Sequence, residues 1–99
     1  MEINIQKGET TTITLKGQLD TLTSADAEKE ISPILESNVK EIILDCAELD
    51  YISSAGLRLL LIIQKSMAAH KGIFRLIHTK QEIRDIFNLT GFSSILNIE

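Results

Sequence analysis

Tryptophan is absent from the 99 residues, and the chain has one cysteine, one proline and only four aromatic side chains, three Phe and one Tyr. The lone Cys46 excludes an internal disulfide and fits a reducing compartment, so the expected location is the cytoplasm. Basic residues are also scarce: ten Lys and Arg stand against fourteen Asp and Glu, for a net charge of −4. That balance argues against nucleic acid, which is bound by a basic face, and against charge-driven docking on an anionic membrane. Long apolar runs are missing too. The longest, Leu59 to Ile63, is far too short to span a bilayer. The opening residues, Met1 to Gln6, lack the charged and apolar regions of a signal peptide.

Motifs of catalysis are equally scarce. There is no P-loop and no G-x-G-x-x-G, so no nucleotide cradle and no cofactor is expected. G-x-S-x-G is absent, which removes Ser54 from any hydrolase nucleophile elbow. His70 and His78 fall at a helix end and a strand end. Neither has another His, a Cys or paired carboxylates at metal-ligand spacing, so no metal site is expected. Two carboxylates stand out, Asp20 just after one strand and Asp45 at the end of another. Both are candidates for the same sheet rim as Ser54, with loop capping or solvation as the alternative. An enzyme is not expected from these residues.

What is present is a regular alternation of strands and helices. An apolar content of 43% and a charged content of 24% fit one globular domain over residues 1–99. Ile3 and Ile5 alternate with polar residues, and Ile13 and Leu15 do so within Thr10 to Lys16, which predicts a hairpin turning at Lys7-Gly8-Glu9. Gly17 to Asp20 then leaves the sheet. A first helix is expected with Thr23 as cap and Ala27, Ile31, Ile34 and Leu35 on its core face. Pro33 should kink it or loosen its last turn. Glu41 to Cys46 is nearly all apolar, as in a central strand or one covered on both faces. A second helix should end near Ala69, with Gly72 in the favoured C-terminal position. Ile73 to His78 reads as a further strand. Thr79 to Glu82 reads as a capping box opening a third helix stopped by Gly91, and Ile95 to Ile98 as a short edge strand. The fold class is α/β, a sandwich with a mixed sheet of four to five strands and three helices, in the order β-β-α-β-α-β-α-(β).

The stretch around which this order is arranged runs from Leu49 to Leu60. Here the strand must give way to the second helix through Ser53-Ser54-Ala55-Gly56. A serine at such a junction can accept hydrogen bonds from the free N–H groups of the first turn. Ala55 and Gly56 leave little side chain around it, which would let another molecule approach closely. A phosphate there would meet the positive end of the helix dipole. An ordinary helix cap and a regulated hydroxyl are both open on spacing alone. The wide apolar arc of this helix, which includes Leu61 and Ile62 between Arg58 and Lys65, calls for neighbours on both sides or a partner.

Taken together, Gly17-Gln18-Leu19-Asp20, Leu44-Asp45, Leu49 to Leu57 and Ile86 to Phe92 resemble the anti-sigma factor antagonists, small STAS-domain proteins of bacteria. The resemblance covers nearly the whole chain. It implies a STAS-type sandwich and a regulatory cycle. The unphosphorylated form binds an anti-sigma factor that is also a serine kinase, and this frees the sigma factor for transcription. The kinase uses MgATP to phosphorylate one serine, and a metal-dependent serine phosphatase reverses the change. Members carry Asp-Ser-Ser-Gly or Asp-Ser-Thr-Gly, with the first hydroxyl residue as acceptor. Aligned on Gly56, that acceptor is Ser54. Ser53 stands where the family has Asp, which removes a charge beside the acceptor and makes Ser53 a rival. Ala55 weakens any role for a second phosphosite. The implied partner surface is Asp20, Ser53, Ser54, Ala55, Gly56, Leu57 and Arg58. Two other uses of the domain are open: an unphosphorylated STAS subunit of a lipid-transport ABC complex, and a scaffold of a stress-signalling assembly.

Overall fold

A computed structural model describes all residues, 1–99. Five strands form one sheet in the order β1-β2-β3-β4-β5: β1 (Glu2–Gln6), β2 (Thr10–Leu19), β3 (Glu41–Ile52), β4 (Ile73–Ile77) and β5 (Asn97–Ile98). β1 and β2 pair antiparallel as a hairpin, and every later pair is parallel. The crossovers contain α1 (Thr21–Glu36), α2 (Ser54–Ala69) and α3 (Gln81–Thr90), the last followed by a 3₁₀ turn at Phe92–Ser94. No helix is long and apolar enough to cross a membrane.

Register places the apolar strand residues on one face. Ile13 lies beside Leu44, and Leu44 beside Leu76, while Ile42 lies beside Phe74. All are buried and belong to a core cluster of 21 residues that includes helix positions Ala27, Ile31, Leu60, Ile63, Ile83 and Phe87. Strand order that advances steadily from β2 to β5 puts right-handed crossovers on a single side, so the three helices cover this face. The opposite face, with Thr12, Thr14, Ile43 and Ile77, stays partly exposed. β3 is therefore the middle strand of the sheet but is not covered on both faces.

Several boundaries differ from expectation. β2 does not leave the sheet at Gly17. It continues to Leu19, with Gly17 at a positive φ of 107° beside a register shift. Likewise, β3 runs past Cys46 to Ile52, because two bulges each insert one extra residue opposite β2. Buried positions consequently step from Cys46 to Leu49 to Ile52, three apart instead of two, so strand alternation is lost although the strand persists.

Helix ends show the same kind of correction. α1 is capped by Asp20, not by Thr23, and it continues through Pro33 to Glu36. α2 ends in a Schellman motif: Gly72 N–H donates to the Met67 carbonyl at 2.7 Å and Lys71 N–H to the Ala68 carbonyl at 3.1 Å. Lys71, at φ 63°, takes the left-handed position expected of Gly72. Gly72 is needed for space, since a Cβ there would lie 2.7 Å from Met67 Cε. α3 has no capping box. Lys80 is its N-cap residue without a side-chain bond, and the Thr79 hydroxyl is buried without a partner. Gly91, at φ 82°, does stop this helix.

Candidate functional site

β2 and β3 are neighbours with Leu19 opposite Ile52, so both chains leave the same edge of the sheet side by side. Each then starts a helix within two residues. Two helix N-termini consequently sit together, and their four-residue sets of free N–H groups must each be satisfied.

At α1 the solution is a reciprocal box. Thr23 N–H donates to Asp20 Oδ1 at 2.9 Å, and Asp20 N–H donates to Thr23 Oγ1 at 2.8 Å. The Thr23 hydroxyl donates in turn to the Gln18 carbonyl at 2.7 Å. These bonds from Thr23, backbone first, hold the Asp20 carboxyl below its ordinary pKa by favouring its charged form. Asp20 belongs to this edge as expected, and its carboxylate is engaged as a cap.

At α2 the cap is Ser53. Its Oγ accepts from Gly56 N–H at 3.2 Å and donates to the Leu19 carbonyl at 3.0 Å. Ser54 is the first residue of the helix, exposed, and its hydroxyl is in none of the side-chain hydrogen bonds of this junction. The two readings of the junction therefore separate onto adjacent residues, with Ser53 as the cap and Ser54 as the free hydroxyl.

Gly56 and Leu57 do not face outward. A Cβ on Gly56 would stand 2.7 Å from Ile52 Cγ1 and 2.9 Å from the Leu19 carbonyl oxygen. The close approach that glycine permits is thus between α2 and its own sheet, and no partner's backbone has access to it. Leu57 is buried in the core cluster. From the expected surface, Ser54 and Arg58 are exposed, and Asp20, Ser53 and Ala55 are partly so.

Asp45 is not on this edge. Because β3 continues seven residues beyond it, Asp45 lies within the sheet opposite Ile77. There it faces His78, whose Nδ1 is 3.1 Å from Asp45 Oδ1, and accepts from Ala47 N–H at 3.1 Å. His70 is the C-cap residue of α2, and its Nε2 lies 2.7 Å from the Val39 carbonyl oxygen in the segment before β3. No group of His, Cys, Asp or Glu is arranged to hold a metal ion.

Sequence reading missed the other wall of the site. α1 and α2 bound an open groove of about 610 Å³. Ser54, Ala55 and Arg58 line it from α2, and Thr21, Ser24, Ala25 and Glu28 from α1. Small residues at Ser24, Ala25 and Ala55 were the available signal, since two helices approach closely only where side chains are short. Two large apolar side chains are also exposed along this edge: Leu22, in the first turn of α1, at 80%, and Tyr51, just before the α2 cap, at 46%. Isolated exposed apolar residues are ordinary, but two at the sheet edge from which α1 and α2 start suit a docking surface.

Comparison with known proteins places this geometry. The model of the STAS domain matches residues 2–99. A Bordetella bronchiseptica protein named as a candidate anti-sigma factor antagonist, BtrV, is 32% identical over 84 residues, which is 85% of this chain and 72% of that protein. Among solved structures, a candidate anti-sigma factor antagonist of Thermotoga maritima has a TM-score of 0.90 at 18% identity, over 97% of this chain and 84% of its own. The anti-sigma factor antagonist SpoIIAA has been solved in two states. Its unphosphorylated form has a TM-score of 0.80 and covers 99% of this chain and 87% of its own. The phosphorylated form, from Bacillus, has a TM-score of 0.78 and covers 99% and 91%, both at 22% identity. These likenesses show the fold.

Proposed function

This chain belongs to the STAS domain family of anti-sigma factor antagonists, and on that premise we propose that it is a phosphorylation-controlled antagonist acting through Ser54. In the unphosphorylated state it binds an anti-sigma factor that is also a serine kinase, and so releases the sigma factor. The kinase transfers the γ-phosphoryl group of MgATP to Ser54: the Oγ–P bond forms, the bond to ADP breaks, and the hydroxyl proton leaves to a base of the kinase. A metal-dependent serine phosphatase returns the hydroxyl by hydrolysis, releasing inorganic phosphate.

The observation that carries this reading is the division of labour at the junction. The Ser53 hydroxyl is committed to Gly56 and Leu19, whereas the neighbouring Ser54 hydroxyl is exposed at the first helical position. Modifying Ser54 leaves the cap intact, so the fold survives the switch. The similarity of this fold to SpoIIAA in both phosphorylation states fits a change without refolding. Ser54, Arg58, Leu22 and Tyr51 form the proposed docking edge. A phosphate on Ser54 adds roughly two negative charges to this edge, and a partner surface that fits the neutral hydroxyl must desolvate them on docking. A loss of about 3 kcal/mol weakens association by roughly a hundredfold, enough for a switch.

The test is a pull-down from native lysate with wild type, Ser54→Ala and Ser54→Asp as baits, read by mass spectrometry. Capture of one ATP-binding anti-sigma factor by wild type and Ser54→Ala, and its loss with Ser54→Asp, is the expected result. Capture of a transporter ATPase by all three alike would overturn the reading and place the chain in a lipid-transport complex.

A further inference from the structure

Arg58 lies one helical turn beyond Ser54 on the exposed side of α2. Residues at i and i+4 are surface neighbours, and helical side chains lean toward the N-terminus, so the Arg58 side chain is placed to reach Ser54. It takes part in none of the six ion pairs of the protein. Across the groove, Ser24 is 4% exposed and its hydroxyl has no hydrogen-bond partner. A buried hydroxyl without a partner costs free energy, and an acceptor drawn onto the α1 wall of the groove would satisfy it. The groove thus offers a free cation, a free donor and the positive end of α2, whose Ser54 and Ala55 amides are among those a helix cannot satisfy internally.

We propose that a phosphoryl group on Ser54 is held in cis in the groove between α1 and α2, by the Arg58 guanidinium and the Ser24 hydroxyl. Guanidinium and phosphate match in charge and in geometry. Glu28, on the α1 wall, is the one carboxylate lining the groove, and it opposes the phosphate. Asp20, at the start of α1, does not line the groove, and its carboxylate is engaged by Thr23. Phosphorylation then alters two side chains of the docking edge at once, because Arg58 is drawn back onto the protein's own phosphate and withdrawn from a partner. This deepens the proposed switch and rests on Ser54 as its acceptor.

The experiment installs phosphoserine at position 54 during translation, so it needs neither kinase nor partner. The ³¹P resonance is titrated in the full chain at low ionic strength. With Arg58 and Ser24 in place the second phosphate pKa should lie about half a unit lower than in Arg58→Gln, in line with an exposed charge-assisted pair. Lys65→Gln removes the same charge about three turns along the helix and should move the pKa little. Ser24→Ala should raise it by a smaller step, and Glu28→Gln should lower it. Equal values for wild type and Arg58→Gln, or equal shifts for Arg58→Gln and Lys65→Gln, would overturn the cis site. Failure of the switch itself would appear separately, as absence of Ser54 phosphorylation in cells, and would leave this titration unchanged.

Discussion

Ser53 is fastened to Leu19 twice through one atom: its backbone N–H donates to the Leu19 carbonyl at 2.9 Å and its hydroxyl donates to the same oxygen at 3.0 Å. The same hydroxyl accepts from Gly56 N–H. One side chain therefore closes the first turn of α2 and joins it to the end of β2. This leaves the next serine free of structural duty.

Substitution of the two adjacent serines should separate these roles. Ser53→Ala loses the cap and the tie to β2, and should cost about 1–2 kcal/mol. Ser54→Ala, at an exposed position, should change stability by less than about 0.5 kcal/mol. Urea unfolding of both variants decides the matter. A larger loss for Ser54→Ala would reverse the assignment.

Gly56→Ala opposes two effects of known size. Helix propensity favours alanine by about 1 kcal/mol. The added Cβ, however, meets Ile52 Cγ1 at 2.7 Å and the Leu19 carbonyl oxygen at 2.9 Å, and the latter is backbone that cannot rotate away. Overpacking costs about 1–3 kcal/mol, so the variant should be less stable, and the junction amides of Leu19 and Ser53 should shift in NMR spectra. A gain in stability would show that the strand edge yields.

Asp20 gives the pH dependence. Its folded-state pKa is lowered from the ordinary 3.8 by bonds from Thr23. A depressed carboxylate contributes stability that is present above its unfolded pKa and is lost as pH falls through the folded value. Asp20→Asn keeps a capping side chain but lacks the charge. Wild type should therefore be the more stable above the ordinary carboxylate range, and the gap should close from about pH 4 downward. Unfolding curves from pH 3 to 7 would show this, and a gap that widens on acidification would refute it.

Cys46 should report global opening. It is fully buried, and burial pushes its thiol up to about 12. Only the thiolate reacts. Labelling by an aromatic disulfide reagent at pH 8 should therefore be negligible in the native protein and should accelerate in step with unfolding by urea. Rapid labelling without denaturant would mean that the β3–α3 contact opens locally.

Legibility in the sequence followed the range of the interaction concerned. The hairpin, the core faces of α1 and α3, and the stop at Gly91 rest on period and on single-residue conformation, so they were readable from Ile13, Ala27, Ile31, Ile83, Phe87 and Gly91. Bulges in β3 were not readable, because an inserted residue changes the spacing of buried positions without changing their composition. Thr23 and Asp20 could not be told apart as caps either, since both are good capping residues and the answer depends on where β2 ends.

By itself the sequence determined the order of elements, the α/β class, the absence of an internal disulfide and the strand-to-helix junction at Ser53 to Gly56, because these follow from composition and local spacing. Only the tertiary structure decided which serine is the cap and which is free, that Gly56 serves the approach of α2 to its own sheet, and that Asp45 lies away from the site while Ser24 and Glu28 border it. Those outcomes depend on the register of β2 against β3, and register is set by long-range packing of one buried face, which no local spacing encodes.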